Sequence, residues 1–239
     1  MSSITTRTVD IDSTLSGFYA ASEHLRGAVL VFMEAFGITG HIRGVCERLA
    51  EQGYAALAPD IFHGKVFAYD DMEHVFPHLK TLDETVIMDE AGRALDWLAK
   101  ETGMDASRTG TIGFCLGGRL ATRTALDFPA LLGAAVGCYG GGIAPREDKF
   151  GRAPLTPDFV KLQAPLLLVY GAEDGSIAPD EHGRIATALS EQKKDYGISV
   201  YANAGHGFLC EQRDSYAPEA AARAWPEILG FFQHNLGRA

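Results

Sequence analysis

The sequence predicts an α/β fold in which a mostly parallel β-sheet is covered by helices on both faces. Short, continuous apolar runs of the kind found in doubly buried strands alternate with stretches whose apolar residues recur at helical spacing. The chain has 239 residues and is 46% hydrophobic, which is enough to build a full core. We therefore expect residues 1–239 to form one domain.

The strands and helices follow one another in a regular order. Apolar runs predict strands at residues 6–11, 17–20, 27–33, 54–58, 109–114, 131–138, 165–170 and 198–201. Helical spacing predicts helices around residues 42–49, 87–98, 119–127, 185–189 and 221–232. The first two strands are predicted to form a hairpin at one edge. The later strands alternate with helices, so we expect them to be parallel, with their carboxyl ends along one edge of the sheet.

Two longer segments have no clear period. Residues 61–81 are rich in histidine and acidic residues, and we expect a loop or short helical cap over the cleft. No histidine pair there has the tight helical spacing of a zinc motif, so we predict no metal site and no cofactor. Residues 143–163 contain prolines and polar residues, and we expect them to form a surface connection.

Charge and cysteine content limit the classes of partner and compartment. A net charge of −10 argues against a nucleic-acid partner, and no stretch approaches the eighteen apolar residues of a membrane span. Residues 1–7 lack an apolar signal core, and the four cysteines show no metal-ligand spacing. We expect a cytoplasmic protein with reduced thiols that acts on a small molecule as a monomer or small homo-oligomer.

The segment GFCLGG, residues 113–118, joins an apolar run to a helical pattern. Its G-x-C-x-G form is the nucleophile-elbow pattern with cysteine in place of serine, in which glycines allow a strained turn between strand and helix. Such a turn would place the Cys115 thiol over the end of the sheet, where the helix N-terminus favours an anion. The alternative is a buried structural cysteine beside a glycine turn.

Three other polar residues also follow predicted strands. Glu34, Asp174 and His206 each come at a strand end, where parallel sheets place their ligands. The order Cys115, Asp174, His206 is that of the nucleophile, acid and histidine in the α/β-hydrolase arrangement. Each residue alone is an ordinary turn residue, but together they predict a catalytic triad.

At this point the sequence resembles the dienelactone hydrolase family, the carboxymethylenebutenolidase-like branch of the α/β-hydrolases. The resemblance extends over nearly the whole chain and is carried by MEAFG at residues 33–37, APD at 58–60, the GFCLGG elbow, YGGG at 139–142, GAED at 171–174 and GHGF at 205–208. It implies that Cys115 is the nucleophile, His206 its base and Asp174 the orienting acid. Glu34 would hold the resting thiol and gate its ionisation.

The resemblance also implies an oxyanion hole made by the backbone N–H groups of Leu116 and Ala35. Tyr139, Phe36 and Arg213 are expected to contact the substrate. Members that act on the dienelactone typically carry an arginine four residues beyond the histidine, where this chain has Cys210. Arg213 could substitute for that arginine.

Several alternatives stay open. Glu34 either gates the thiol or is simply satisfied by backbone N–H groups or by a basic neighbour such as Arg213. Thiolate chemistry favours esters, lactones and thioesters over amides, because an amine is a poorer leaving group. The competing interpretation of the chain is a redox-sensing or non-catalytic ligand-binding protein on the same fold.

Overall fold

The computed structural model describes residues 3–237, so the first two and last two residues of the expected domain lie outside the described residues. The strands are β1 Ile4–Asp10, β2 Ser16–Ser22, β3 Gly27–Phe32, β4 Tyr54–Pro59, β5 Thr109–Phe114, β6 Ala134–Cys138, β7 Leu166–Gly171 and β8 Tyr196–Tyr201. The α-helices are α1 Gly40–Glu51, α2 Met72–Lys80, α3 Glu84–Thr102, α4 Leu116–Asp127, α5 Pro179–Glu191 and α6 Pro218–Asn235.

The eight strands form one sheet in the order β1-β2-β4-β3-β5-β6-β7-β8. β1 and β2 pair antiparallel in register from Ile4–Ser22 to Asp10–Ser16, which confirms the edge hairpin. β2 is also antiparallel to β4, and every later pairing is parallel. The predicted α/β architecture is therefore confirmed, and the carboxyl ends of β3, β5, β6, β7 and β8 lie along the same edge.

Helices cover both faces of the sheet, as two residues on opposite faces of β5 demonstrate. A Cβ at Gly110 would lie 2.9 Å from the Phe232 ring of α6, whereas a Cβ at Gly113 would overlap Gly117 of α4. Side chains alternate between the two faces of a strand, so α6 and α4 lie on opposite sides. Within residues 3–237, no helix has both the length and the hydropathy of a membrane span.

Several element boundaries differ from the sequence prediction, among them those of α4 and β6. α4 begins at Leu116 rather than Arg119, because the glycines of the elbow continue directly into the first helical turn. β6 begins at Ala134 rather than at residue 131, because Pro129–Leu131 form a short 3₁₀ helix. The earlier start of α4 places Cys115 directly at a helix N-terminus.

The expectation that residues 143–163 form only a surface connection is wrong. Ile143 and Phe159 are fully buried, and Leu155 and Leu162 are nearly so. Each of these residues enters the core singly from an irregular chain, which leaves no period in the sequence. The segment also contains a 3₁₀ helix, Thr156–Lys161. Other residues of the segment line a cavity that Cys115 also lines.

Candidate active site

The elbow at Cys115 joins β5 to α4 without an intervening loop residue. Cys115 has φ +56° and ψ −116°, a left-handed conformation that non-glycine residues adopt only where the surrounding structure forces it. A Cβ at Gly117 would overlap the Phe32 carbonyl, and one at Gly118 would lie 2.6 Å from the Cys138 carbonyl oxygen. The glycines are thus required because the turn passes directly against the ends of β3 and β6.

Two backbone N–H groups border the cavity beside the elbow. Leu116 and Ala35 both line the cavity next to Cys115. The neighbouring Gly117 N–H donates to the Met33 carbonyl at 3.1 Å. Within residues 3–237, no acceptor is found for the N–H of either Leu116 or Ala35. The oxyanion-hole role expected for these two N–H groups stays a prediction.

His206 lies between an acid and a thiol. Its Nδ1 is 2.8 Å from Oδ2 of Asp174, whose Oδ1 accepts a hydrogen bond from the Ser176 N–H at 2.8 Å. Burial opposes protonation of the imidazole, but the charges and hydrogen bonds of Cys115 and Asp174 outweigh it and raise the pKa of His206. The arrangement therefore favours the protonated form of the His206 imidazole.

Glu34 is paired with Arg213. Arg213 Nη1 donates to Oε1 of Glu34 at 3.0 Å, and the carboxylate side chain is 1% exposed. Burial raises the pKa of Glu34, and the guanidinium acts in the opposite direction. Arg213 also lines the same cavity as Cys115.

A cavity of about 350 Å³ opens beside the thiol. Its lining includes Cys115 and His206 together with Phe36, and α2, the helix within residues 61–81, contributes to one wall. The larger apolar side chains of the lining are Phe36, Met72, Phe76, Leu79, Leu82, Ile87, Leu116, Phe150 and Ile177. The rings of Phe76 and Phe150 stack with centroids 6.4 Å apart and planes at 22°. Apolar side chains thus form much of the cavity lining.

Tyr139 does not lie in the cavity wall. It is fully buried, with φ +40°, and its ring meets the His206 imidazole edge-on at a centroid distance of 5.3 Å. Tyr139 therefore supports the histidine from behind, rather than contacting the cavity as the sequence analysis expected. The other two expected substrate contacts, Phe36 and Arg213, do line it.

Sequence reasoning missed the contribution of residues 148–152 to the cavity. Arg152 donates to Asp148 at 2.7 Å, and Phe150 lies between them in the chain and faces Phe76. The D-x-x-x-R spacing was the available signal, because it pairs an acid with a base. Nothing in the local pattern indicates that this pair lies at the active site.

One group of potential metal donors occurs within residues 3–237. Glu34, His41 and Cys210 are all buried, and their donor atoms lie within 4.8 Å of one another. They come from three separate parts of the chain, so no spacing rule selects them.

Comparisons with known proteins agree with the geometry. A model of the Dienelactone hydrolase family matches residues 15–236. A Yersinia pestis protein named "Putative carboxymethylenebutenolidase" is 34% identical over 213 residues, which are 87% of this chain and 78% of that protein. A Synechocystis protein of the same name is 33% identical over 214 residues, covering 87% of this chain and 86% of its own length.

A solved structure gives the same result. The crystal structure named "Putative Dienelactone Hydrolase" from Klebsiella pneumoniae superposes with a TM-score of 0.87 at 31% identity, covering 97% of this chain and 99% of that one. Sequence and structure therefore agree over nearly the full described length. This chain is a hydrolase of the dienelactone hydrolase family, with an α/β-hydrolase fold.

Proposed function

We propose that this hydrolase cleaves small esters and lactones through a covalent thioester on Cys115, with His206 and Asp174 completing the triad. The observation that carries the proposal is the placement of His206, whose Nδ1 is held by Asp174 and whose charge state responds to Cys115. A nucleophile, a base and a group that orients the base are the components that acyl transfer needs. The family relatives named for lactone hydrolysis support the same chemistry.

The reaction has two halves. The Cys115 thiolate attacks the carbonyl carbon, and the N–H groups of Leu116 and Ala35 stabilise the oxyanion that forms. As the tetrahedral intermediate collapses, the C–O bond to the leaving group breaks and His206 donates its proton to the alkoxide. Neutral His206 then removes a proton from water, and the hydroxide adds to the thioester. Collapse releases the carboxylic acid and returns the thiolate and the imidazolium.

Turnover of p-nitrophenyl acetate tests this proposal. Wild-type protein is expected to release p-nitrophenol catalytically, with an acyl group trapped on Cys115 and detectable by mass spectrometry after acid quench. Cys115→Ala is expected to lose both signals. Cys46→Ala is the control, because Cys46 is a second free thiol that lies in α1 and does not line the cavity. Equal turnover in wild type and Cys115→Ala would refute the proposal.

The cavity favours a neutral substrate with an apolar group. Arg213 is already paired with Glu34, and Arg152 with Asp148, so both arginines that line the cavity are committed to protein carboxylates. Lys80 and Lys149 line the cavity but are exposed, where water competes for their charge. The stacked rings of Phe76 and Phe150 and their apolar neighbours instead offer a surface for an alkyl or aryl group.

We also propose that the protein works in the cytoplasm. All four cysteines are free, including the buried Cys46, Cys138 and Cys210. Reducing compartments keep thiols in this state, and a thiol nucleophile needs that protection. Fractionation of the native host, with detection of the full chain by antibody, tests the assignment, and recovery from the medium or an oxidising compartment would refute it.

A further inference from the structure

Three buried side chains lie close together beside the Glu34–Arg213 pair. Glu34 follows β3, His41 lies in the first turn of α1, and Cys210 lies between β8 and α6. Glu34 and Cys210 are fully buried and His41 is 8% exposed. The carboxylate oxygen, imidazole nitrogen and thiol sulfur all lie within 4.8 Å of one another.

Two of the three donor atoms have no hydrogen-bond partner among the described residues. These atoms are Oε2 of Glu34 and Nε2 of His41. The third, Sγ of Cys210, contacts the Tyr69 hydroxyl at 3.4 Å. A buried polar atom left without a partner costs about 1–3 kcal/mol, so an ion bound by two such atoms, which lie within 4.8 Å of each other, would stabilise the protein.

We propose that Glu34, His41 and Cys210 form a binding site for a divalent zinc ion. Carboxylate, imidazole and thiolate are the donor types that zinc takes in proteins, and three protein ligands leave a fourth position for water or another ligand. A tetrahedral zinc ion needs donor separations of about 3.3–3.6 Å, so the side chains must draw together by about 1 Å from their present spacing.

The donor set can balance the charge of a dication. Zinc binds an imidazole through an unprotonated nitrogen, and Nε2 of His41 has no hydrogen-bond partner among the described residues. Zinc binding displaces the Cys210 thiol proton to solvent, and the resulting thiolate and the Glu34 carboxylate together balance the charge of the ion. Arg213 opposes the ion, but its guanidinium is held on the other carboxylate oxygen, Oε1.

Cobalt(II) is the probe, because cobalt bound by a thiolate gives a charge-transfer band and intense visible absorption. The titration uses metal-free wild type and a Cys115→Ala variant, which cannot bind metal through the active thiol. Both are expected to bind one cobalt per chain with a thiolate charge-transfer band. Adding Cys210→Ser to Cys115→Ala is expected to abolish the band, and adding His41→Gln to weaken binding at least tenfold. His74→Ala is the control, because it removes an exposed histidine paired with Asp71.

A second measurement guards against misfolded variants. Zinc is expected to raise the melting temperature of Cys115→Ala but not that of Cys115→Ala/Cys210→Ser, each variant first being shown to be folded by circular dichroism. A Cys115→Ala protein without a charge-transfer band would overturn the proposal, since the donors would then bind only a water molecule. A band that survives in Cys115→Ala/Cys210→Ser would overturn it too, because the metal would sit elsewhere.

Discussion

Nδ1 of His206 lies 2.8 Å from Oδ2 of Asp174, although 32 residues of chain separate the two. The Asp174 side chain is 1% exposed, so this hydrogen bond is shielded from solvent. The bond fixes which nitrogen of the imidazole faces the acid and leaves Nε2 to exchange a proton with the thiol or the substrate. Because β7 and β8 are parallel neighbours, the loops at their carboxyl ends bring the pair together.

The hydrogen bond between Asp174 and His206 predicts that substitutions in the proposed triad lower kcat to different extents. His206→Ala and Cys115→Ala are expected to lower kcat by about 10³-fold or more, because each removes a reacting group. Asp174→Asn keeps the histidine in place but disturbs its tautomer, so we expect a larger remnant of activity. Steady-state turnover of p-nitrophenyl acetate measures all three. An Asp174→Asn variant less active than His206→Ala would contradict the assigned roles.

The Glu34–Arg213 pair predicts that Cys115 becomes more reactive when Glu34 is neutralised. In Glu34→Gln the Arg213 charge is no longer balanced, so it favours the nearby thiolate, and we expect iodoacetamide to alkylate Cys115 on the order of tenfold faster at pH 7. Turnover is expected to fall if Glu34 helps to generate the nucleophile. Glu90→Gln is the matched control, because Glu90 is equally buried but pairs with His63. Unchanged alkylation and turnover in Glu34→Gln would rule out a gating role.

The apolar cavity wall predicts a selective loss with larger substrates. Phe76→Ala and Phe150→Ala are each expected to raise KM for p-nitrophenyl hexanoate by about tenfold, since a lost ring contact is worth roughly 1–3 kcal/mol. KM for p-nitrophenyl acetate, which lacks the hexanoyl chain, is expected to change less. Phe231→Ala controls for general destabilisation, because Phe231 lies on α6 outside the cavity. Equal effects on both esters would refute apolar selectivity.

Glu84 joins three parts of the protein beside the cavity. It accepts hydrogen bonds from Arg119 at 2.7 Å and from Arg123 at 2.7 Å, and Arg152 lies 4.0 Å away. Burial alone would raise the pKa of Glu84, but the hydrogen bonds and charge of Arg119 and Arg123 lower it overall. Its ionised form is therefore stabilised by folding, and that stability is lost as the pH falls through the folded-state pKa.

Glu84→Gln is accordingly expected to lower the free energy of unfolding by about 3 kcal/mol at pH 7, because it leaves the buried Arg119 without its carboxylate. The difference from wild type should be full above the unfolded-state pKa near 4.5 and should shrink below it. Urea unfolding at pH 7 and at pH 4 measures it. Asp158→Asn, which removes an exposed pair with Lys161, is the control. A difference that grows toward acid would contradict this sign.

The sequence was sufficient for the central architecture because the central strands are buried along their whole length. β3, β4 and β7 therefore appear as apolar runs, and β5 is equally buried although Thr109 and Thr111 interrupt its run. The strand ends then locate Cys115, Asp174 and His206, since parallel strands present their carboxyl ends together. Irregular segments gave no such signal. Phe150 is a single apolar residue in a polar stretch, and Phe159 is followed by the exposed Val160, so neither belongs to a period.

The ion pair between Glu34 and Arg213 could not be predicted from the sequence for a different reason. Glu34 and Arg213 are 179 residues apart, and the sequence left open whether Arg213 binds Glu34 or a substrate. Both alternatives place a guanidinium in the cleft, and only the folded arrangement shows that a carboxylate of the protein already occupies it. The sequence did not identify His41 and Cys210 as metal donors. His41 lies on an amphipathic helix and Cys210 in a loop, and neither has a partner at metal-ligand spacing.

The positive φ of Cys115 places stability and chemistry in conflict at a single residue. Glycine adopts this backbone conformation without the steric cost that a side chain incurs, so folding alone would favour glycine at position 115. Cys115→Gly is thus expected to keep the fold and to relieve backbone strain while removing the thiol. If Cys115 has the proposed reactivity, the chain carries that reactivity at a cost in stability.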